Sequence, residues 1–148
     1  MSPSQICVVR RMRREDAAAV AALTTELGYA AADTDIQRRY DSIQGRSDAR
    51  LFVATHPQNV VVGWIHVQVT HMLEHDARAE IWGLVVAEGA RGTGVGGALV
   101  SAAEEWARGM SLNVIAVRSN ALRVHARGFY EHLGYAITKT QNAFRKNL

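Results

Sequence analysis

The stretch GARGTGVGG, residues Gly89 to Gly97, joins the strand-like run AEIWGLVV to the helix-like run ALVSAAEEWAR. Glycine lowers local stability by about 0.5–1 kcal/mol per site relative to alanine, so a glycine cluster at this junction indicates a need for bare backbone. The amino end of a helix exposes unpaired N–H groups and carries about half a positive charge, which attracts phosphate. The stretch therefore predicts a pyrophosphate cradle with Arg91 as an added cation; the alternative is a tight, closely packed turn.

Two common phosphate-binding motifs do not fit this stretch. A P-loop ends in Gly-Lys-Ser/Thr, whereas no lysine or hydroxyl follows the last glycine here. The glycines fall as G-x-G-x-G-G instead of G-x-G-x-x-G, and no acidic residue closes a short βαβ unit about 20 positions on. The pattern therefore argues against nucleoside triphosphate hydrolysis and dinucleotide binding.

Composition places the chain among ordinary globular proteins. It has 148 residues, of which 48% are hydrophobic and 21% are charged, and we expect residues 1–148 to form one domain. No apolar run approaches the roughly 20 residues of a membrane span, and the first residues do not resemble a secretory signal, so we expect a cytoplasmic protein that does not bind membranes. The single cysteine, Cys7, cannot form an internal disulfide.

The charge balance is slightly basic, with a formal net charge of +3, which suits an anionic ligand. The densest basic run is Arg10, Arg11, Arg13 and Arg14. No aromatic residues alternate with these arginines as a stacking platform, so we interpret the run as a solvated rim and expect no nucleic-acid partner.

Hydrophobic periodicity predicts the order β-α-α-β-β-β-α-β-α-β, a mixed sheet with packed helices. The first helix should end at Gly28, and the second should begin with Asp33 or Thr34 as its N-cap. The run NVIAV is predicted as a buried strand. The last helix, around Leu122 to Leu133, should end at Gly134, and the alternating run YAITKTQNAF is predicted as a closing strand.

Two motifs carry a resemblance to a known family. RGTGVG, Arg91 to Gly96, is similar to motif A of the GNAT superfamily of N-acetyltransferases, whose pattern is [R/Q]-x-x-G-x-[G/A]. HARGFYEHLGY, His125 to Tyr135, resembles motif B of that family, a helix ending in A-x-x-F-Y-E-x-L-G-[FY]. Both motifs stand in the family's order and at its usual separation, and the resemblance covers nearly the whole chain.

The resemblance implies a GNAT fold: a mixed, mostly antiparallel sheet splayed in the middle and flanked by about four helices. It also implies acetyl-coenzyme A as the cofactor, with its pyrophosphate on the glycine turn and its pantetheine arm along a strand where the sheet splays. The residues implied to bind the cofactor are Leu84, Val85, Val86, Arg91, Gly92, Thr93, Gly94, Val95, Gly96 and Gly97, with Asn120 or Arg123 as a further contact.

Acetyl transfer to an amine needs a neutral nucleophile, stabilisation of the carbonyl oxyanion, and a proton for the departing thiolate. Tyr130 matches the tyrosine that many family members use to protonate the thiolate; the alternative is a core tyrosine. Glu80 resembles the base of the histone-modifying branch and would act through water. It could instead recruit the substrate cation, or be a plain solvent-facing strand residue, because a carboxylate stabilises an ammonium. The backbone N–H near Val85 is a candidate to polarise the carbonyl.

The acceptor in this fold usually binds between the first two helices and the strand side of the cofactor. The resemblance implies a pocket lined by Tyr29, Trp64, His66 and Trp82, with Asp33, Asp35 and Tyr40 nearby. Trp64 and Trp82 could stack on substrate or fill core. We expect a small-molecule or peptide amine as acceptor, direct transfer without an acyl-cysteine, and a possible homodimer. A non-catalytic acyl-CoA sensor on the same fold is the alternative.

Metal chemistry is not predicted. His66, His71 and His75 are spaced by five and four residues across a strand and its loop, which matches no compact ligand set. We interpret these histidines as surface or substrate-pocket residues.

Overall fold

The computed structural model describes residues 7–118 and 124–148. The chain divides into two compact units, one up to Val117 and one from Arg118 onward. Of the described residues, those in the first unit form the sheet and three α-helices, and those in the second form one α-helix.

An open five-stranded mixed sheet forms the centre of the first unit. Its strands follow one another in the order β1-β2-β3-β4-β5; the first four are antiparallel neighbours, and β5 runs parallel to β4. The strands are β1 (Val8–Arg11), β2 (Ala49–His56), β3 (Val60–Met72), β4 (His75–Val86) and β5 (Ile115–Val117). This confirms the predicted mixed, mostly antiparallel sheet of a GNAT fold.

The described residues also form four α-helices. They are α1 (Ala17–Glu26), α2 (Asp33–Ile43), α3 (Val95–Gly109) and α4 (Val124–His132), with short 3₁₀ turns at Arg14–Asp16, Pro57–Asn59 and Glu88–Ala90. None of the described helices is long and apolar enough to cross a membrane.

The helices of the first unit cover both faces of the sheet. Gly63 on β3 lies against Leu99 and Val95 of α3, since a Cβ at Gly63 would come within 3.0 and 3.2 Å of their side chains. The next residue, Trp64, points to the opposite face because side chains alternate along a strand. There it packs on a cluster containing Val20 of α1 and Ile36 of α2.

Helix ends follow the predicted glycines. After α1, the N–H of Gly28 donates to the Thr25 carbonyl and that of Tyr29 to the Thr24 carbonyl, with Gly28 at φ +95°. This is the Schellman arrangement, in which a left-handed residue closes the helix. Gly134, at φ +93°, ends α4 in the same way, with hydrogen bonds from Gly134 to Glu131 and from Tyr135 to Tyr130.

The predicted N-cap of α2 is wrong. Asp33 is the first helical residue, and Ala32 is the N-cap. The capping interaction comes from Asp35, whose carboxylate accepts a hydrogen bond from the Ala32 N–H at 3.1 Å. The acid at the third helical position therefore performs the function expected of a polar N-cap.

Two strand predictions also need correction. Residues 135–148 form no strand, although their apolar residues alternate: Ile137 and Phe144 are exposed, and the segment forms no ladder with any described strand. The run NVIAV forms only the three-residue strand β5, whose side chains are half-buried instead of buried. Alternation alone does not make a strand; a partner must supply the hydrogen bonds.

Candidate active site

The glycine turn adopts a conformation that requires glycine. Gly94 is the N-cap of α3 and has φ +90°, and Gly92 has φ +76°. A Cβ built at Gly89, Gly92 or Gly94 would meet nothing within 4 Å. Backbone conformation, and not crowding, therefore explains the glycines at 92 and 94, and the turn is not closed by neighbouring side chains of the described residues.

The turn presents free hydrogen-bond donors. The first intrahelical bond of α3 runs from the Ala98 N–H to the Gly94 carbonyl at 3.0 Å, so Val95, Gly96 and Gly97 have no intrahelical acceptor. The hydroxyl of Thr93 donates to the Ala90 carbonyl and holds the turn. Arg91 is exposed and forms no ion pair with any described residue. Donors, helix dipole and guanidinium together make this turn suited to an anion.

The adjoining strand has an open edge. The ladder between β4 and β5 pairs Ala79 with Ile115 and ends at Ile81 and Val117. Beyond that point Leu84, Val85 and Val86 pair with β3, and within the described ranges nothing pairs with their other edge. This is the splayed region that the resemblance implied, and an extended ligand arm could add to it as a strand.

A bulge marks the point where the sheet opens. His66 of β3 opposes Gly83, and Val67 opposes Ile81, so Trp82 is an extra residue in β4. Trp82 is 52% exposed, which rules out a role as core filling. Trp64 does pack on the core, and the end of its indole covers Gly83: a Cβ at Gly83 would lie 2.7 and 2.8 Å from two carbons of that ring.

A polar row lies on the sheet face that α1 and α2 cover. Glu80 is only 3% exposed, so its interpretation as a solvent-facing residue is wrong. Its Oε1 accepts from Nε and Nη2 of Arg78, both at 3.3 Å. Gln68 stands directly opposite Glu80 in the register, and its Oε1 lies 3.2 Å from Nε2 of His66. Burial lowers the pKa of His66, an effect that the Gln68 contact partly offsets.

Arg78 and Gln68 are the residues that sequence reasoning missed. Arg78 stands two positions before the candidate Glu80, and Gln68 stands two positions after the candidate His66. A strand places residues i and i+2 on the same face, so this spacing was the available signal.

The second unit contains Tyr130, on α4. Its ring makes edge-to-face contacts with Phe129 and Tyr135, with centroids 5.0 and 5.7 Å apart. Burial raises the pKa of Tyr130 to about 12. The phenol therefore stays protonated throughout the neutral range.

The remaining candidates are not gathered into one site by the described structure. Asn120 and Arg123 lie outside the described residues. Tyr29 follows α1 and is 61% exposed. Among the described residues, no group of three or more His, Cys, Asp or Glu side chains could hold a metal ion.

Comparison with known families decides the fold assignment. Residues 15–135 match the acetyltransferase (GNAT) family. The chain belongs to this family. The match spans both motifs, from the 3₁₀ turn before α1 to the residue after Gly134, so the GNAT assignment rests on most of the chain.

Solved structures of other proteins share this fold at low sequence identity. A transcriptional regulator from Bacillus halodurans C-125 superposes with a TM-score of 0.84 at 23% identity, covering 95% of this chain and 100% of that one. Aminoglycoside 6'-N-acetyltransferase AAC(6')-Ih from Acinetobacter baumannii gives 0.82 at 16% identity, with 97% and 99% covered. Aminoglycoside N-acetyltransferase AAC(6')-Iy in complex with CoA gives 0.84 at 17% identity, with 97% and 96% covered. A comparison with curated protein sequences finds no significant match.

Proposed function

We propose that this protein transfers an acetyl group from acetyl-coenzyme A to a primary amine of a small molecule or peptide, by direct attack in a ternary complex. The observation that carries the proposal is the start of α3, where left-handed Gly92 and Gly94 precede N–H groups without intrahelical acceptors. Family membership and the AAC(6')-Iy structure with CoA support it.

The residues present fit this cofactor. The backbone N–H groups of the turn, from Gly92 to Gly97, would donate to the pyrophosphate, and Arg91 would neutralise its charge. Thr93 would act through its backbone, since its hydroxyl hydrogen already bonds Ala90. The free edge at Leu84, Val85 and Val86 would pair with the pantetheine amides. Acetyl-coenzyme A supplies an activated acyl group as a thioester.

Glu80 would hold the amine as a cation before reaction. A buried carboxylate near an ammonium stabilises the charged form of the amine, which favours binding but opposes loss of the proton. Arg78 already donates two hydrogen bonds to one oxygen of Glu80 and orients that carboxylate. Deprotonation therefore needs a separate acceptor.

Tyr130 would assist the departure of the thiolate. A phenol with a pKa of about 12 is a weaker acid than a thiol, whose pKa is about 8.5. Tyr130 would thus donate a hydrogen bond to the sulfur as charge develops on it, and the thiolate would finally take its proton from the acetylated nitrogen or from water. Positioned donors of this kind contribute about 10²–10³-fold in rate.

A thiol-release assay tests the proposal. Acetyl-coenzyme A is mixed with the protein and with neamine, spermidine or a peptide with a free N-terminus, and free thiol is followed over time. We expect turnover with at least one amine, and Tyr130→Phe should lower kcat by about 10²-fold while leaving acetyl-coenzyme A binding unchanged. Tyr135→Phe, on the same unit, is the matched control. Binding without turnover for every amine would favour the acyl-CoA sensor instead.

Location and assembly belong to the same proposal. We place the protein in the cytoplasm, where acetyl-coenzyme A is the shared substrate, and propose a homodimer. Light scattering on the purified protein should give twice the 16.2 kDa chain mass.

A further inference from the structure

We propose that His66 accepts the proton of the acceptor amine, and that Gln68 is the positioning residue that fixes its tautomer. This inference rests on the proposed function. It assigns a catalytic role to a histidine on β3, where the resemblance implied only a lining residue.

The position of His66 is set by the sheet. It stands on β3 directly opposite Gly83, the residue after the Trp82 bulge, at the place where β4 loses its pairing with β5. The neighbouring β4 residues Leu84 to Val86 are those with a free edge. A ligand arm bound along that edge would therefore have its reactive end next to Gly83, the residue opposite His66.

Hydrogen bonding defines which nitrogen is available. Oε1 of Gln68 lies 3.2 Å from Nε2 of His66 and can only accept, so we assign the proton of the neutral ring to Nε2. The lone pair then lies on Nδ1. Nδ1 of His66 has no partner among the described residues and is not shut away from solvent, unlike Nδ1 of His56, which is buried without a partner. His66 thus presents an unused acceptor.

The protonation state suits the task. Burial lowers the pKa of His66 from its ordinary value of 6.5, so the ring is neutral at pH 7 and ready to take a proton. The neighbouring β2 strand presents Leu51 opposite His66, while β4 presents Gly83 and, further along, Glu80 with Arg78. Tyr40 of α2 packs on the same core cluster as Trp64, and its hydroxyl donates to the Met12 carbonyl.

Glu80 is the poorer candidate for this step. Its Oε1 already accepts two hydrogen bonds from Arg78, and both groups are charged. That oxygen is therefore already occupied as a hydrogen-bond acceptor. Its ion pair with Arg78 instead suits Glu80 to attracting the ammonium group of the acceptor without taking a proton from it.

The step balances in atoms and charge. Nδ1 of His66 takes one proton from the ammonium and becomes imidazolium. The freed nitrogen lone pair forms the C–N bond with the thioester carbonyl carbon, the C–S bond breaks, and its electron pair leaves on sulfur. The second nitrogen proton neutralises the thiolate, and the imidazolium returns its proton to water.

The first test compares His66→Gln with His71→Gln, the same change at an exposed position of the same strand, in the thiol-release assay with the best amine of the panel. We expect kcat for His66→Gln to fall by about 10²–10⁴-fold and His71→Gln to keep wild-type activity. Equal activity of the two variants would overturn the role of His66 alone. A wild type that acetylates none of the amines overturns the proposed function, and this role with it.

The second test measures the protonation of the His66 ring by NMR, which needs no activity, and compares it with the pH dependence of kcat. Nitrogen NMR of the ligand-free protein should show unprotonated Nδ1 and a His66 midpoint below 6.5. Gln68→Leu should move that midpoint, and the acidic limb of kcat, to lower pH, because the raising effect of Gln68 is lost. Gln68→Glu should move both to higher pH. The proposal would be overturned if the acidic limb of kcat kept the same midpoint in both Gln68 variants. It would also be overturned if that midpoint moved in Glu80→Gln instead.

Discussion

At the scale of single residues, the glycines of this fold are required for two unrelated reasons. Gly92 and Gly94 are required by backbone conformation, whereas Gly83 is required by contact with Trp64. The first cause is local and was visible in the sequence. The second depends on a side chain from the neighbouring strand, so no pattern along the chain reveals it.

Gly83→Ala tests whether the contact with Trp64 is what requires a glycine at position 83. The new methyl group would lie 2.7–2.8 Å from the Trp64 indole, so the ring must move, and we expect a loss of about 1–3 kcal/mol in the free energy of unfolding. Gly89→Ala is the matched control, because nothing lies within 4 Å of its Cβ and its φ is not positive. Urea unfolding of both variants measures the difference. If Gly83→Ala were as stable as Gly89→Ala, Trp64 would not cover the bulge.

At the scale of elements, the start of α3 is the proposed cofactor site, and its affinity for acetyl-coenzyme A tests that proposal. Gly94→Ala places a side chain in the left-handed region at the N-cap, where it costs about 1–2 kcal/mol, and the turn must relax. We expect acetyl-coenzyme A to bind this variant about tenfold more weakly than wild type. Arg91→Gln should also weaken binding, and its effect should be larger at low salt than at high salt. Isothermal titration calorimetry measures both effects. Gly89→Ala again serves as the control and should bind normally.

A second element-scale device joins β1 to the start of α1. Both oxygens of Asp16 accept from the Arg10 guanidinium at 2.8 Å, and Oδ2 also accepts from the Arg13 N–H at 2.7 Å. Burial by itself would raise the pKa of Asp16, but the Arg10 and Arg13 contacts outweigh it, and the pKa falls below 3.8. The arginine run is thus partly an internal ion pair and not only a solvated rim.

The sign of that shift fixes its pH dependence. Because the folded pKa of Asp16 is depressed, its contribution is fully present above the unfolded value of 3.8 and is lost as pH falls through the folded value. Asp16→Asn should cost about 3 kcal/mol near pH 7, and the gap from wild type should close in strong acid. Asp41→Asn breaks the exposed pair with Arg14 and should cost much less than Asp16→Asn, because water screens that pair. A pH-independent cost for Asp16→Asn would contradict this account.

At the scale of the whole molecule, the sequence predicted features that depend on neighbouring residues, such as helix ends and turns. It did not predict the register between strands. The helix-ending Gly28 and Gly134, and the turn from β4 into α3, depend on residues adjacent in sequence, and their positions are confirmed. The Trp82 bulge depends on the register between β3 and β4, which only the assembled sheet defines. The partners of Glu80 and His66 were missed for another reason: each stands two positions away on the same strand, and that spacing shows a shared face but not a contact.

The C-terminal segment offers a test at this scale, because pattern and structure disagree there. The alternating run predicted a closing strand, but residues 136–148 are all exposed and contain no helix or strand. A strand in a sheet would share in cooperative unfolding, whereas an exposed segment without ladder bonds would not. Deleting residues 136–148 should therefore change the free energy of unfolding by less than about 0.5 kcal/mol. Loss of stability or of sheet signal in circular dichroism would show that the run does pair, as its pattern predicted.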